Sequence, residues 1–310
     1  MTSPLHTNAI DSLLETLTQQ YALAQKADKF LPPELANRLQ KIRERIPESA
    51  RPTTFLAGLP LGKILKERYD DQQQIKLMKY MTRVQDRAAQ KMLDDEKFAE
   101  NFLTKDEFSA VILSLDIRRS TELMLKAESP QLYAEFINTL TSELTESVKE
   151  RFGIYDKFTG DGLLAFFPDF YSGKDAILQA LLCADDCHTI FNAIFPSYRS
   201  HFAIPDNMVT GLGVGIDIGP VFKAGIELEY TVVGKPVVYA CRFSAAPAGH
   251  TYLTPLAEKA LKESSSPETF LSQKTEIEIK HEGTTLAYDV NAVSTAVLEH
   301  LTLDEPEWCK

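Results

Sequence analysis

Ala110-Val111-Ile112-Leu113-Ser114-Leu115-Asp116 is the stretch on which the reading of this chain turns. It is a short continuous apolar run, the mark of a strand buried on both faces, and it ends on a carboxylate. Further on, Ile154-Tyr155-Asp156-Lys157-Phe158 and Leu163-Leu164-Ala165-Phe166-Phe167 flank Thr159-Gly160-Asp161-Gly162. Two strand-like runs around a Gly-Asp-Gly turn make a hairpin. Between the first run and this hairpin, residues 130–151 read as an amphipathic helix. Leu132, Phe136, Leu140, Leu144 and Val148 share its apolar face, and Gly153 follows as a C-cap. A second helix spans 174–195 and a second apolar strand spans 209–218.

The order strand, helix, strand, strand, helix, strand is the split βαββαβ arrangement of ferredoxin-like and polymerase-palm domains. A further strand (230–233), a short helix (237–246) and a terminal pair of strands (274–281, 284–290) complete an α+β domain over 105–295, with a tail over 296–310. The region 1–104 reads as helices only. Ile10, Leu13, Leu14, Leu17, Tyr21 and Ala24 keep a helical rhythm, a second helix follows Pro33, and a third, longer one runs over 63–102, interrupted near Tyr69-Asp70-Asp71. The expected role of this helical region is dimer support or regulation.

Of 310 residues, 44% are apolar and 25% charged, the balance of a globular protein with a sizeable core. The net charge is −11, so counterion release, which drives non-specific nucleic-acid binding, gives this chain nothing. No stretch approaches the roughly 18 uninterrupted apolar residues of a spanning helix, and Met1-Thr2-Ser3-Pro4 begins no secretion signal. The expectation is a cytoplasmic protein that binds neither nucleic acid nor membrane. Cys183 and Cys187 sit four apart on a helical pattern and read as buried core residues, not as metal ligands.

The chemistry gathers at two carboxylates. Asp116 closes the first buried strand, and Asp161 tips the hairpin between two glycines that permit a tight turn. In a βαββαβ sheet these strands are neighbours, so both carboxylates meet on one edge. A carboxylate beside a buried strand is costly unless compensated, and a divalent cation with oxygen ligands, Mg²⁺ or Mn²⁺, is the natural compensation. Taken singly, Asp116 also reads as an N-cap for the segment at Ser120, and Asp161 as an ordinary turn aspartate.

Four motifs carry a resemblance: Asp116-Ile117-Arg118-Arg119-Ser120-Thr121, Lys157-Phe158-Thr159-Gly160-Asp161-Gly162, Gly215-Ile216-Asp217-Ile218-Gly219-Pro220, and Tyr230-Thr231-Val232-Val233-Gly234 with Arg242. Their order and spacing resemble the class III nucleotidyl cyclases. The stretches 116–127, 157–168 and 237–249 look like the bacterial pyrimidine (uridylate or cytidylate) cyclases of Pycsar antiphage defence. The resemblance implies a homodimer with active sites between protomers and a nucleoside triphosphate substrate. It implies two divalent cations, Mn²⁺ or Mg²⁺, held by Asp116, Asp161 and the carbonyl of Ile117. Arg242 matches the family's transition-state arginine, Lys157 and Thr231 its base-binding positions, and Lys280 its triphosphate-binding lysine. By the pyrimidine analogy, a separate effector reads the cyclic nucleotide.

The chain departs from the family at two places. Arg119-Ser120 stands where a Gly-Phe is usual, and Val238 where most relatives carry an asparagine that positions the ribose. Read chemically, Arg119, Ser120 and Thr121 are phosphate-binding candidates, because a fixed cation and the backbone N–H groups of the 117–121 turn suit a polyphosphate. On a simple reading Lys157 and Thr231 favour ATP, but lysine only donates, and uracil and cytosine each offer it a carbonyl acceptor. The expected activity is cyclisation of UTP, before CTP. An adenylate cyclase making cyclic AMP is the same-class alternative, and a catalytically silent nucleotide-binding dimer the alternative of another class.

Overall fold

The computed structural model describes residues 68–225, 230–265, 269–279, 282–292 and 303–310, together with Gln40 and Leu65. The helices expected over 10–24 and from Pro33 onward lie outside these residues, as does Lys280. The chain divides into two compact units: the described residues up to Asp106 with Gly225 and Tyr230, and Glu107–Ala224 with Thr231–Lys310.

In the first unit the long helix expected over 63–102 is three helices: α1 (Asp71–Met81), α2 (Asp86–Asp94) and α3 (Glu96–Thr104). The expected break near Asp70 is there, because Asp70 forms a reciprocal capping box with Gln73. A second break comes at Asp95, whose side chain accepts from the Phe98 N–H at 3.1 Å and so starts α3 where α2 stops. Tyr80 packs edge-on against Phe102 at 5.1 Å, and Arg83 donates to the Tyr230 carbonyl at 2.7 Å.

The second unit is built on one sheet in the order β2-β3-β1-β4-β6-β8-β7, with β5 added to β4. Its strands are β1 (Glu107–Ile117), β2 (Ile154–Phe158), β3 (Gly162–Pro168), β4 (Leu212–Ala224), β5 (Thr231–Val233), β6 (His250–Leu253), β7 (Phe270–Ile279) and β8 (Gly283–Ala292). The first four strands in order β2-β3-β1-β4 are the ferredoxin-like sheet that the sequence predicts. β1 is central, antiparallel to both β3 and β4, and Val111 to Leu113 are fully buried, as a strand covered on both faces requires. The helices are α4 (Ser120–Lys126), α5 (Pro130–Glu150), α6 (Asp169–Ser172), α7 (Ala176–Tyr198), α8 (Lys235–Phe243) and α9 (Pro255–Ser264). No helix among the described residues is long and apolar enough to cross a membrane.

Phe136, Leu140, Leu144 and Val148 of α5 are buried as the helical spacing predicts. Phe136 meets the rings of Phe191, Phe195, Tyr198 and Phe202, and a buried ion pair, Arg151 to Asp186 at 2.7 Å, ties the end of α5 to α7. The residue that leaves α5 in the left-handed region is Phe152 (φ 57), not Gly153. Gly153 is glycine for want of room: a Cβ there would lie 2.8 Å from both the Phe167 ring and Val148. Cys183 and Cys187 are buried on α7. At the far end of the chain Trp308 stacks on Tyr171 and donates to its carbonyl at 2.7 Å.

His188 on α7 is half-buried and hydrogen-bonded to Thr251 of β6, 3.0 Å away. Burial pushes its ionisation down to about 4, and the neighbouring His250 adds to that push while Asp289 opposes it. The unfolded chain therefore binds a proton near pH 6.5 that the folded chain refuses until about pH 4, so stability falls as pH drops through that window. Urea midpoints measured from pH 7 to 4.5 should fall more steeply for the wild type than for His188→Gln. Equal slopes would contradict the assignment.

Candidate active site

β1 and β3 pair with Asp116 opposite Gly162, and the Ile117 N–H donates to the Asp161 carbonyl at 3.1 Å. These contacts bring Asp116 and Asp161 to one edge of the sheet, as strand adjacency demands. The hairpin can be this tight because Gly160 sits at φ +94, a region L side chains rarely adopt, and because a Cβ on Gly162 would meet the Leu115 carbonyl at 2.5 Å. Asp116 is not a helix cap: the residue before α4 is Arg119, in the left-handed region at φ 63, with no side-chain capping bond.

Each carboxylate has a donor from the segment just after β1. The Arg118 guanidinium pairs with Asp116, and the Ser120 hydroxyl donates to Asp161. Burial lowers the Arg118 ionisation, with the Asp161 charge acting against that shift, and burial with Asp161 raises the phenol of Tyr133 on α5. Ser120 is buried. Arg119 is exposed and reaches Glu122 at 3.3 Å. Thr121 is exposed on α4. Of the backbone donors expected from the 117–121 turn, two are already used, Ile117 by Asp161 and Arg118 by the Gly211 carbonyl at 2.8 Å.

A second cluster joins β2 to β5. Lys157 donates to the Thr231 hydroxyl at 3.0 Å, and that hydroxyl donates in turn to Asp156 at 2.5 Å. Asp156 is buried and Lys157 exposed, and the β2–β3 register shifts between Tyr155 and Lys157. A bulge of this kind re-aims side chains beside a site. With its proton spent on Asp156, Thr231 can only accept, so the pair presents one donor and one acceptor. That pattern matches the amine and ring-nitrogen edge of adenine or cytosine, and reversed, the N–H and carbonyl of uracil.

A third cluster lies on α8. Arg242 pairs with Glu282, whose other oxygen accepts from the Tyr239 hydroxyl at 2.7 Å. Val238 is exposed. The helix lies directly on β4 because Gly213 and Gly215 leave no side chain between them. A Cβ on Gly215 would stand 2.2 Å from the Ala240 carbonyl, and one on Gly213 2.3 Å from that of Ala246. Val214 and Ile216, on the other face of the same strand, are fully buried. Asp217, next along β4, accepts from Thr254, the residue that caps α9.

Sequence reasoning missed Arg118, Asp156, Tyr133 and Glu282. For Arg118 the signal was its place two residues after Asp116, the spacing that returns a side chain to the same face of extended chain. For Asp156 it was the alternation Ile154, Asp156, which puts a carboxylate on the core side of a strand. Glu282 had no local signal, since its partner lies across the fold.

The oxygen-only character of the site, with carboxylates from Asp116 and Asp161, fits a hard divalent cation.

No family model matches the chain. It is similar to an adenylate cyclase of Anabaena cylindrica, 24% identical over 176 residues, 56% of this chain and 34% of that protein. The chain thus spans about a third of the length of that curated relative. The crystal structure of the adenylyl cyclase CyaB from P. aeruginosa matches with a TM-score of 0.53 and 21% identity, covering 61% of this chain and 96% of that one. A guanylyl cyclase crystal structure matches with a TM-score of 0.52 and 20% identity over 61% and 95%. The second unit has the class III nucleotidyl cyclase fold.

The glycines of β4 generate a direct test of how α8 is held. Gly215→Ala should cost about 1–3 kcal/mol or more, as overpacking against backbone does, and chemical denaturation would read it. An unchanged midpoint would mean that α8 is not seated on this strand.

Proposed function

We propose that this chain is a nucleotidyl cyclase that converts a nucleoside triphosphate into its 3′,5′-cyclic monophosphate and pyrophosphate. One observation carries the reading. In a sheet of the class III cyclase fold, Asp116 and Asp161 share the end of two adjacent central strands, held there by the Asp116–Gly162 register and the Ile117-to-Asp161 hydrogen bond.

In the reaction the substrate's 3′-oxygen bonds to its own α-phosphorus, the bond from that phosphorus to the bridging oxygen of the β-phosphate breaks, and the hydroxyl proton is lost. Asp116, Asp161 and the Ile117 carbonyl would hold two divalent cations, Mn²⁺ or Mg²⁺, which supply a lowered hydroxyl pKa and neutralisation of the triphosphate. Arg242 meets the charge that grows on the α-phosphate and the leaving pyrophosphate, which requires that it exchange Glu282 for phosphate oxygen. Arg119, Ser120, Thr121 and Lys280 hold the phosphates. Lys157 and Thr231 read the base, steadied by Asp156. Val238 offers no polar group to the ribose, so another residue positions it. The active unit is a homodimer with sites between protomers.

For the base, a pyrimidine is the first reading, UTP before CTP, supported by the resemblance of the stretches 116–127, 157–168 and 237–249 to the pyrimidine cyclases. In that reading the product is a cytoplasmic messenger of antiphage defence, read by a separate effector. Adenine is the second reading, favoured by the similarity to an adenylate cyclase. Purified protein with Mn²⁺ and equal ATP, GTP, CTP and UTP, its products identified by mass spectrometry, tests both. Cyclic UMP or cyclic CMP is expected. Cyclic AMP would select the second reading, and nucleotide binding without any cyclic product would favour a silent module.

A further inference from the structure

We propose that Arg118 is the resident counter-ion of Asp116 at the carboxylate edge, and that a divalent cation must displace its guanidinium from Asp116 in order to bind. The proposal rests on the cyclase reading, which is what brings a cation to these carboxylates.

Two like charges at one sheet edge need compensation in every state of the protein, not only when a cation is bound. Arg118 supplies it at one of them. Its guanidinium pairs with Asp116. Its side chain is only 25% exposed, so solvent screens this pairing less than it would a surface ion pair.

The backbone of Arg118 is fixed on both sides. Its N–H donates to the Gly211 carbonyl at 2.8 Å, and its carbonyl accepts from the Thr210 hydroxyl at 2.6 Å. The arginine therefore yields Asp116 by a side-chain movement, without loss of the turn. Arg119 is no such competitor, being exposed and turned to Glu122.

The guanidinium is also under-used. Its Nε is buried and has no hydrogen-bond partner, and an unmade bond at a buried charged group is costly. A polyphosphate oxygen beside the carboxylate edge would satisfy it, since guanidinium and phosphate match in charge and geometry. Arg118 thus has a place to go when the triphosphate arrives. Without the anion, a cation competes with Arg118 for Asp116; with it, the arginine is drawn to phosphate and the carboxylate is released. Metal and triphosphate should then bind cooperatively.

The test is Mn²⁺ binding to the full chain, followed by the electron paramagnetic resonance signal of the free ion, without nucleotide. Wild type, Arg118→Gln, Arg118→Lys and Asp116→Asn are compared, each checked for a folded far-ultraviolet spectrum. Arg118→Gln should bind Mn²⁺ roughly three- to ten-fold tighter than wild type, because a competing charge has gone. It should also melt lower in EDTA and gain more from added Mn²⁺. Asp116→Asn should bind more weakly than wild type. If Arg118→Gln does not fold, Arg118→Lys carries the test: a lysine lacks the planar fork, holds Asp116 less well and should still show tighter Mn²⁺ binding. Equal affinities for wild type and the Arg118 variants, with Asp116→Asn weakened, would overturn the proposal and leave the cyclase reading standing. Undiminished binding by Asp116→Asn would overturn the metal assignment and the proposal with it.

Discussion

Asp116 and Asp161 are held side by side at the end of β1 and β3, and the need to compensate two carboxylates there shapes everything around them. Their backbones are brought to one sheet edge by the strand register and the Ile117-to-Asp161 hydrogen bond. The segment that follows β1 responds by turning back on the edge. It presents Arg118 to one carboxylate and the Ser120 hydroxyl to the other, and the left-handed Arg119 between them makes that double return possible. Ser120 is small and buried, and its hydroxyl is what Asp161 meets.

The remaining clusters depend on how closely other elements approach the same sheet. β4 carries glycine at Gly213 and Gly215 on one face and buried Val214 and Ile216 on the other. One strand thus accepts helix backbone directly on one side and fills the core on the other. Arg242 is thereby placed on a helix seated directly on this strand. Its present partner, Glu282, sits at the β7–β8 turn with Tyr239 on its second oxygen. The Lys157–Thr231 pair is organised in a similar way, from behind: the buried Asp156 accepts a hydrogen bond from the threonine hydroxyl and so fixes which partner donates and which accepts.

Much of this was legible in the chain. The apolar run into Asp116, the Gly-Asp-Gly hairpin and the two amphipathic helices gave the βαββαβ order, because burial on both faces, turn chemistry and helical period are local properties. Lys157 and Thr231, which only the family resemblance singles out, meet across β2 and β5. What escaped the sequence was non-local or short. β6 is only four residues (His250–Leu253) and, with α9, follows a Pro-Ala-Gly segment that carries no periodic signal. The three-way division of the helix over 63–102 turned on Asp95, a cap that looks like any other charged residue in a polar stretch. Arg118 was passed over in favour of its neighbour Arg119, although the spacing from Asp116 favoured Arg118.

The central claim is that the carboxylate pair is the catalytic centre of a nucleotide cyclase. Asp161→Ala tests it most directly, with cyclic nucleotide and pyrophosphate quantified together in saturating Mn²⁺ beside the wild type. The account predicts that wild type releases both in equal amounts. It predicts that the variant, still folded, loses roughly a hundredfold or more in turnover, as removal of a principal charge-stabilising group does. A folded Asp161→Ala protein with near-wild-type turnover would contradict it.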